Sequence, residues 1–327
     1  MHSVRQRIWK DDMSSRTALC LLGMAGTLDG SLAGQQTIPT EPGRHRVEIP
    51  SSIDRSFQPA YLTLPTSRDS AAPLAVLLHT WSTTLEQRNR TVEVEAEARG
   101  WLLLAPNFRG RNDHPEACGS RPAQQDILDA VAWVRRHYGT DSKRIYLVGF
   151  SGGSYMTMLM ASRHPDIWAA ASAWAGISDL RVWYAEHERD DYGAMMRGCF
   201  GGSPDQSKSI GAAYRERSPI TYLNRTLKVP MDLAAGRSDT VVAAAHTLRA
   251  FDAISPAAIT PAEITALMGP GDGLPSPAVS DTASDPLIER RVFLRRSTGL
   301  HRITIYDDGH GWYPRAAIAW LERHQRP

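Results

Sequence analysis

The chain has 327 residues, 42% hydrophobic and 22% charged, a globular composition with room for a sizeable core, which excludes a disordered or fibrous protein. A net charge of +2 is too small to imply a nucleic-acid partner, and no apolar run reaches the length of a membrane span. No Cys/His spacing suggests a metal site, and no motif calls for a cofactor.

Residues 1–36 hold Arg16, a modest apolar stretch and the small-residue run Ser31-Leu32-Ala33, the order of a signal peptide or leader. This predicts a secreted or periplasmic protein, with a cytoplasmic one as the alternative, and leaves 37–327 as a single domain. Two cysteines lie beyond the leader, Cys118 in "PEACGS" and Cys199 in "RGCFGG". Both are expected in glycine-bearing loops near the same edge of the sheet, where an oxidising compartment would let them form a disulfide.

"RHRVEIP" (44–50) and "AYLTLP" (60–65) alternate apolar and polar residues and predict an antiparallel pair of half-exposed strands. "PLAVLLHT" (73–80) is a continuous apolar run, as in a strand buried on both faces of a parallel sheet. Helices and strands then alternate: a charged helix over 85–100, a strand in "WLLLAP" (101–106), and a helix over 123–139 with Ile127, Val131 and Val134 on its apolar face. Strands follow at 143–150, 168–176, 228–236 and 301–309, with a helix at 152–165 and a terminal helix in "PRAAIAWLERH" (314–324). This alternation predicts an α/β fold, a mostly parallel sheet covered by helices on both faces, with ligand chemistry at the carboxyl ends of the strands. Residues 177–227 and 255–300 break the alternation and are expected to be two insertions near the site, the second with a short helix beginning at "TPAEI" (260–264).

The chemistry is carried by Gly149-Phe150-Ser151-Gly152-Gly153, a match to G-x-S-x-G between the strand "KRIYLVGF" and a helix. In such a nucleophile elbow the positions two before and two after the serine must be small, because strand and helix pass too close for side chains. A plain glycine-rich turn is the structural alternative. A serine hydroxyl needs a base to take its proton, an acid to orient that base, and N–H donors for the oxyanion. His310 in "DDGHGW" follows the last strand and is the candidate base; His246, His301 and His324 are worse placed. Asp239 in "GRSDTVV" follows the strand before it and is the candidate acid, a helix N-cap being its structural alternative. The backbone N–H groups of Gly152 and Trp81 are the candidate oxyanion donors.

Ser151, Asp239 and His310 in this order resemble the α/β-hydrolase fold, and "PNFRG" (106–110) with "QDILDAVAWVRR" (125–136) resembles the catalytic domain of the prolyl oligopeptidase family and its dienelactone hydrolase and acetyl esterase relatives. The resemblance implies a serine hydrolase, with His79 where relatives carry a His-Gly pair and Thr80 in place of the glycine. His79 itself reads as a structural histidine. The residues before 73 are too few for the propeller that gates the family's peptidases, a single blade taking roughly 40 to 50 residues. The expectation is a carboxylic ester hydrolase acting through an acyl-enzyme on a small-molecule or glycan ester, such as an acetylated or methyl-esterified polysaccharide. A peptidase of prolyl oligopeptidase type and a non-catalytic binding module are the alternatives. Arg109, with Arg111 and Arg121, is a candidate contact for an anionic substrate, and Trp183, with Tyr184 and Tyr192, for stacking on a sugar or aryl ring.

Overall fold

A computed structural model describes residues 38–268 and 285–327, within the unit Ile38–Pro327. The leader and the "GPGDGLPSP" run of the second insertion lie outside the described residues. The strands are β1 (Gly43–Pro50), β2 (Phe57–Leu64), β3 (Ala72–Leu78), β4 (Leu102–Pro106), β5 (Thr140–Phe150), β6 (Ala170–Trp174), β7 (Met231–Gly236), β8 (Val292–Thr298) and β9 (His301–Tyr306). They form one sheet of order β1-β2-β4-β3-β5-β6-β7-β9-β8. From β4 to β9 every neighbouring pair is parallel, whereas β1 with β2, β2 with β4 and β8 with β9 are antiparallel.

The central strands are apolar on both sides because both sides are covered. Along β5, Ile145 and Leu147 join one core, while Tyr146 and Val148 join the other. The first core receives α2 (Arg121–His137), α3 (Gly152–Arg163) and α7 (Ala244–Ile254); the second receives α1 (Arg90–Ala98) and α9 (Pro314–Leu321). Helix ends follow local chemistry. Asn89 accepts the Val92 N–H and starts α1 later than its charged run suggests, and Ser120 accepts the Ala123 N–H ahead of Pro122 at the start of α2.

The two insertions differ from expectation in opposite ways. Residues 177–227 are well formed, with α4 (Leu180–His187), α5 (Asp191–Phe200), α6 (Lys208–Glu216) and a single 3-10 turn at Pro219–Thr221. Residues 255–300 are not wholly an excursion: α8 (Pro261–Met268) begins where "TPAEI" predicts it, with Thr260 and Glu263 in a reciprocal capping box, but β8 is the edge strand of the sheet itself. Val292, Phe293 and Leu294 are buried in that edge, Arg295 and Arg296 are half-buried and paired with Asp285 and Glu263, and Ser297 and Thr298 turn to solvent.

Candidate active site

Ser151 stands between the end of β5 and the first turn of α3 with φ 55° and ψ −122°, a left-handed conformation that costs a non-glycine residue strain. The turn persists because its neighbours leave no alternative. A Cβ at Gly149 would lie 2.3 Å from the Gly153 carbonyl carbon, and one at Gly153 would lie 2.1 Å from the Leu78 carbonyl oxygen. The Ser151 N–H is tied to the Trp174 carbonyl of β6 at 2.9 Å. The hydroxyl is thereby presented at the carboxyl edge of the sheet.

His310 arrives from the loop after β9 and Asp239 from the loop after β7. Nε2 of His310 is 3.0 Å from the Ser151 Oγ, and its Nδ1 is 2.7 Å from Asp239 Oδ2. The other carboxylate oxygen of Asp239 accepts the N–H groups of Val241 at 2.8 Å and Val242 at 2.9 Å. Asp239 therefore closes its own turn and does not cap α7, whose N-cap is Ala243. The two loops approach closely because Gly236 has no side chain: a Cβ there would meet the Gly309 carbonyl oxygen at 2.1 Å. The loop carrying His310 is pinned by Tyr306, whose hydroxyl donates to the Gly311 carbonyl at 2.6 Å, and by Tyr313, whose hydroxyl donates to Asp308 at 2.6 Å. A buried carboxylate orienting an imidazole whose second nitrogen faces a hydroxyl is an arrangement able to draw the proton from that hydroxyl.

The backbones of Gly152 and Trp81 face each other, since a Cβ on Gly152 would fall 2.2 Å from the Trp81 nitrogen. Among the described residues neither N–H is bonded to a backbone carbonyl. His79 lies beneath this loop, stacked on Phe108 at 3.9 Å, with its ring nitrogens 2.9 Å from the Thr80 and Asn107 carbonyls. Burial holds its pKa below the ordinary histidine value, against the pull of those carbonyls, and the ring serves as packing and support. Beside the serine, Phe150 lies 4.7 Å from the His310 ring and stacks on Trp312 at 5.8 Å, and both border a small cleft of mixed lining with Leu77, Thr80, Leu85 and Gln87.

Two expected substrate contacts are corrected. The Arg109 guanidinium is buried and fully engaged by Asp126, Asp54, Glu116 and Ser51, at 2.6, 2.7, 3.2 and 3.1 Å. It bolts the β4 loop to α2 and the β1–β2 turn, where a charge is tolerated because it is paired on several sides. Trp183 is only 1% exposed. Its ring packs edge-on to Trp81 at 4.8 Å, and its indole N–H donates to the Val241 carbonyl at 3.0 Å. His187 meets the same carbonyl at 2.8 Å, so the first insertion braces the Asp239 turn from behind. Cys118 and Cys199 are joined by a disulfide with Cα atoms 6.1 Å apart. Cys118 sits in a turn, but Cys199 lies in α5 and not in a loop. Among the described residues no cluster of His, Cys, Asp and Glu could hold a metal ion.

The fold is that of the α/β-hydrolase class, and its site aligns a serine, a histidine and an aspartate in hydrogen-bonded order. The chain belongs to the prolyl oligopeptidase family, whose model matches residues 94–284. It is 28% identical over 157 residues to a Bacillus subtilis protein named an uncharacterized peptidase, a match spanning 47% of this chain and 58% of the relative. It is 40% identical over 52 residues to acetylxylan esterase A of Aspergillus ficuum, spanning 16% of this chain and 17% of that one. The chain thus spans little more than half the length of the first relative and a small part of the second. Among solved structures, the acylaminoacyl peptidase of Pyrococcus horikoshii superposes with a TM-score of 0.59 at 19% identity, over 86% of this chain and 40% of that one. At that identity the likeness is one of fold.

Proposed function

We propose that this protein is a serine esterase that cleaves carboxylic esters through an acyl-enzyme. The observation that carries the proposal is the continuous relay from Asp239 through His310 to the Ser151 hydroxyl, with contacts of 2.7 and 3.0 Å, at a strained elbow that presents the hydroxyl at the strand end. In this reading Ser151 Oγ attacks the ester carbonyl as His310 Nε2 takes its proton. The Trp81 and Gly152 N–H groups receive the oxyanion. Collapse expels the alcohol, which takes the proton from His310, and a water repeats the sequence on the acyl-enzyme.

Ester over amide is supported by the parallel Phe150–Trp312 pair beside His310, which offers an apolar face suited to a sugar or aryl ring. The short match to acetylxylan esterase A favours an acetylated glycan as natural substrate. The Cys118–Cys199 disulfide favours an oxidising compartment, hence export.

The deciding experiment compares kcat/KM for p-nitrophenyl acetate with that for aminoacyl and prolyl p-nitroanilides at one pH, with Ser151→Ala as control. Removing the nucleophile of such a relay costs on the order of a million-fold in kcat, so the variant should be inert. Preference for the anilides would replace the esterase reading with a peptidase one, and activity in Ser151→Ala would remove both.

A further inference from the structure

Trp81 is gripped from its carbonyl side by a residue that no motif singles out. Its carbonyl accepts the backbone N–H of Asn112 at 3.0 Å and the side-chain Nδ2 of the same residue at 3.3 Å. Asn112 is completely buried, and its Oδ1 accepts the Cys118 N–H at 2.6 Å. A carbonyl at one end of the amide and an N–H at the other fix which way it points. The Cys118 carbonyl is held in turn by the Tyr155 hydroxyl of α3 at 3.1 Å, and its sulfur by Cys199 of α5. The Trp81 indole fills the remaining side, 5.5 Å from the Tyr155 ring and 4.8 Å from that of Trp183.

We infer that Asn112 is a positioning residue for the oxyanion donor Trp81, and that the Cys118–Cys199 bridge is the fixed post to which it is tied. The inference rests on the esterase reading of Ser151. Thr80 stands where a glycine is expected before Trp81, so the loop after β3 needs another constraint to set its N–H. Fixing the carbonyl on one side of the Trp81 Cα holds the N–H on the other. An oxyanion donor acts by being in place before charge develops, so loosening it lowers kcat and leaves ground-state binding nearly unchanged.

The test is Asn112→Asp, which keeps the volume and the acceptor for Cys118 but turns a carboxylate oxygen toward the Trp81 carbonyl. On p-nitrophenyl acetate, kcat should fall about tenfold, equivalent to about 1.4 kcal/mol, with KM changed less than about twofold. Affinity for a boronic acid that mimics the tetrahedral state should fall in parallel. Combined with Cys199→Ser, the loss should be smaller than the product of the two single losses, because both cut one strut. A folded variant with wild-type kcat, a rise in KM alone, or fully multiplicative losses would overturn the inference. If Asn112→Asp does not fold, Asn112→Ser is judged by the same split. Wild-type kcat in Asn112→Asp beside an inert Ser151→Ala removes this inference only, whereas an active Ser151→Ala removes the esterase reading itself.

Discussion

Asp239 and His310 lie 71 residues apart in sequence, yet their side chains meet at 2.7 Å, with the second carboxylate oxygen held by two backbone N–H groups of its own turn. Those two donors decide what an amide would do here. In Asp239→Asn the side-chain oxygen stays on Val241 and Val242, so the NH2 must face Nδ1 of His310. Nδ1 then becomes an acceptor and the ring proton moves to Nε2, where it faces Ser151 as a donor and no longer as a base. By analogy with serine proteases, kcat should fall by on the order of ten thousand-fold with the fold unchanged. Near-normal steady-state kinetics on acetyl esters would remove Asp239 from the relay.

How much of this was legible beforehand follows from how local each signal is. The elbow, its flanking strand and helix, and the positions of Asp239 and His310 each just past a strand end rest on spacing and periodicity along a few residues; the structure puts them after β7 and β9, neighbours in the sheet but separated in the chain by β8. The edge strand β8 escaped because its arginines break the apolar alternation and its partner β9 pairs antiparallel, outside the βα rhythm. Arg109 reads as a cation open to a substrate because nothing local announces that Asp126 and Asp54 converge on it, and Trp183 reads as a stacking surface because nothing local announces that Trp81 and the Val241 carbonyl enclose it. Asn112 gave no signal, since its partner Trp81 is 31 residues away and the bond is to a carbonyl every residue possesses.

The disulfide closes a sequence separation of 81 residues and ties the turn after β4 to α5. In the chain-entropy picture a loop of that size is worth about 4.5 kcal/mol, and losses of about 2–5 kcal/mol are usual when native bridges are removed. In the chain without residues 1–36, which carry Cys20, Cys199→Ser should therefore lower Tm by several degrees and expose one free thiol in the denatured, unreduced protein. Two thiols titrating in denatured, unreduced wild type of that same length would mean that the bridge does not form.

Four histidines set the pH dependence of stability. Burial is the main cause that holds His79, His164, His301 and His324 below their ordinary value of 6.5. Each stays neutral in the folded chain at a pH where its unfolded counterpart takes up a proton, so unfolding binds protons and acid favours the unfolded state. The stabilisation is complete above about pH 6.5 and is lost as pH falls through the folded values. Below that, Asp54 and Glu263, both lowered chiefly by arginine partners, continue the trend. Tm measured from pH 8 to 5 should hold steady and then decline, with net proton uptake on unfolding near pH 6. A Tm that rises on acidification would show that these rings are charged in the fold.

Two glycines separate the effect of space from that of backbone conformation. Gly153 has an ordinary φ, but a Cβ there would lie 2.1 Å from the Leu78 carbonyl oxygen and 2.9 Å from its carbon, both backbone atoms at the end of β3. Neither can yield without moving β3 away from α3, and β3 leads directly into the Trp81 loop. Gly153→Ala should thus cost about 1–3 kcal/mol, the usual penalty for overpacking, and reduce kcat through displacement of both Ser151 and Trp81. Gly201 is the opposite case: it ends α5 at φ +78° with nothing within 4 Å of its would-be Cβ. Gly201→Ala should cost about 1 kcal/mol through the left-handed backbone alone and leave kcat untouched. Paired urea titrations and kcat measurements on the two variants check the distinction. A Gly153→Ala protein with full activity would mean that strand and helix at the elbow have slack that their spacing denies.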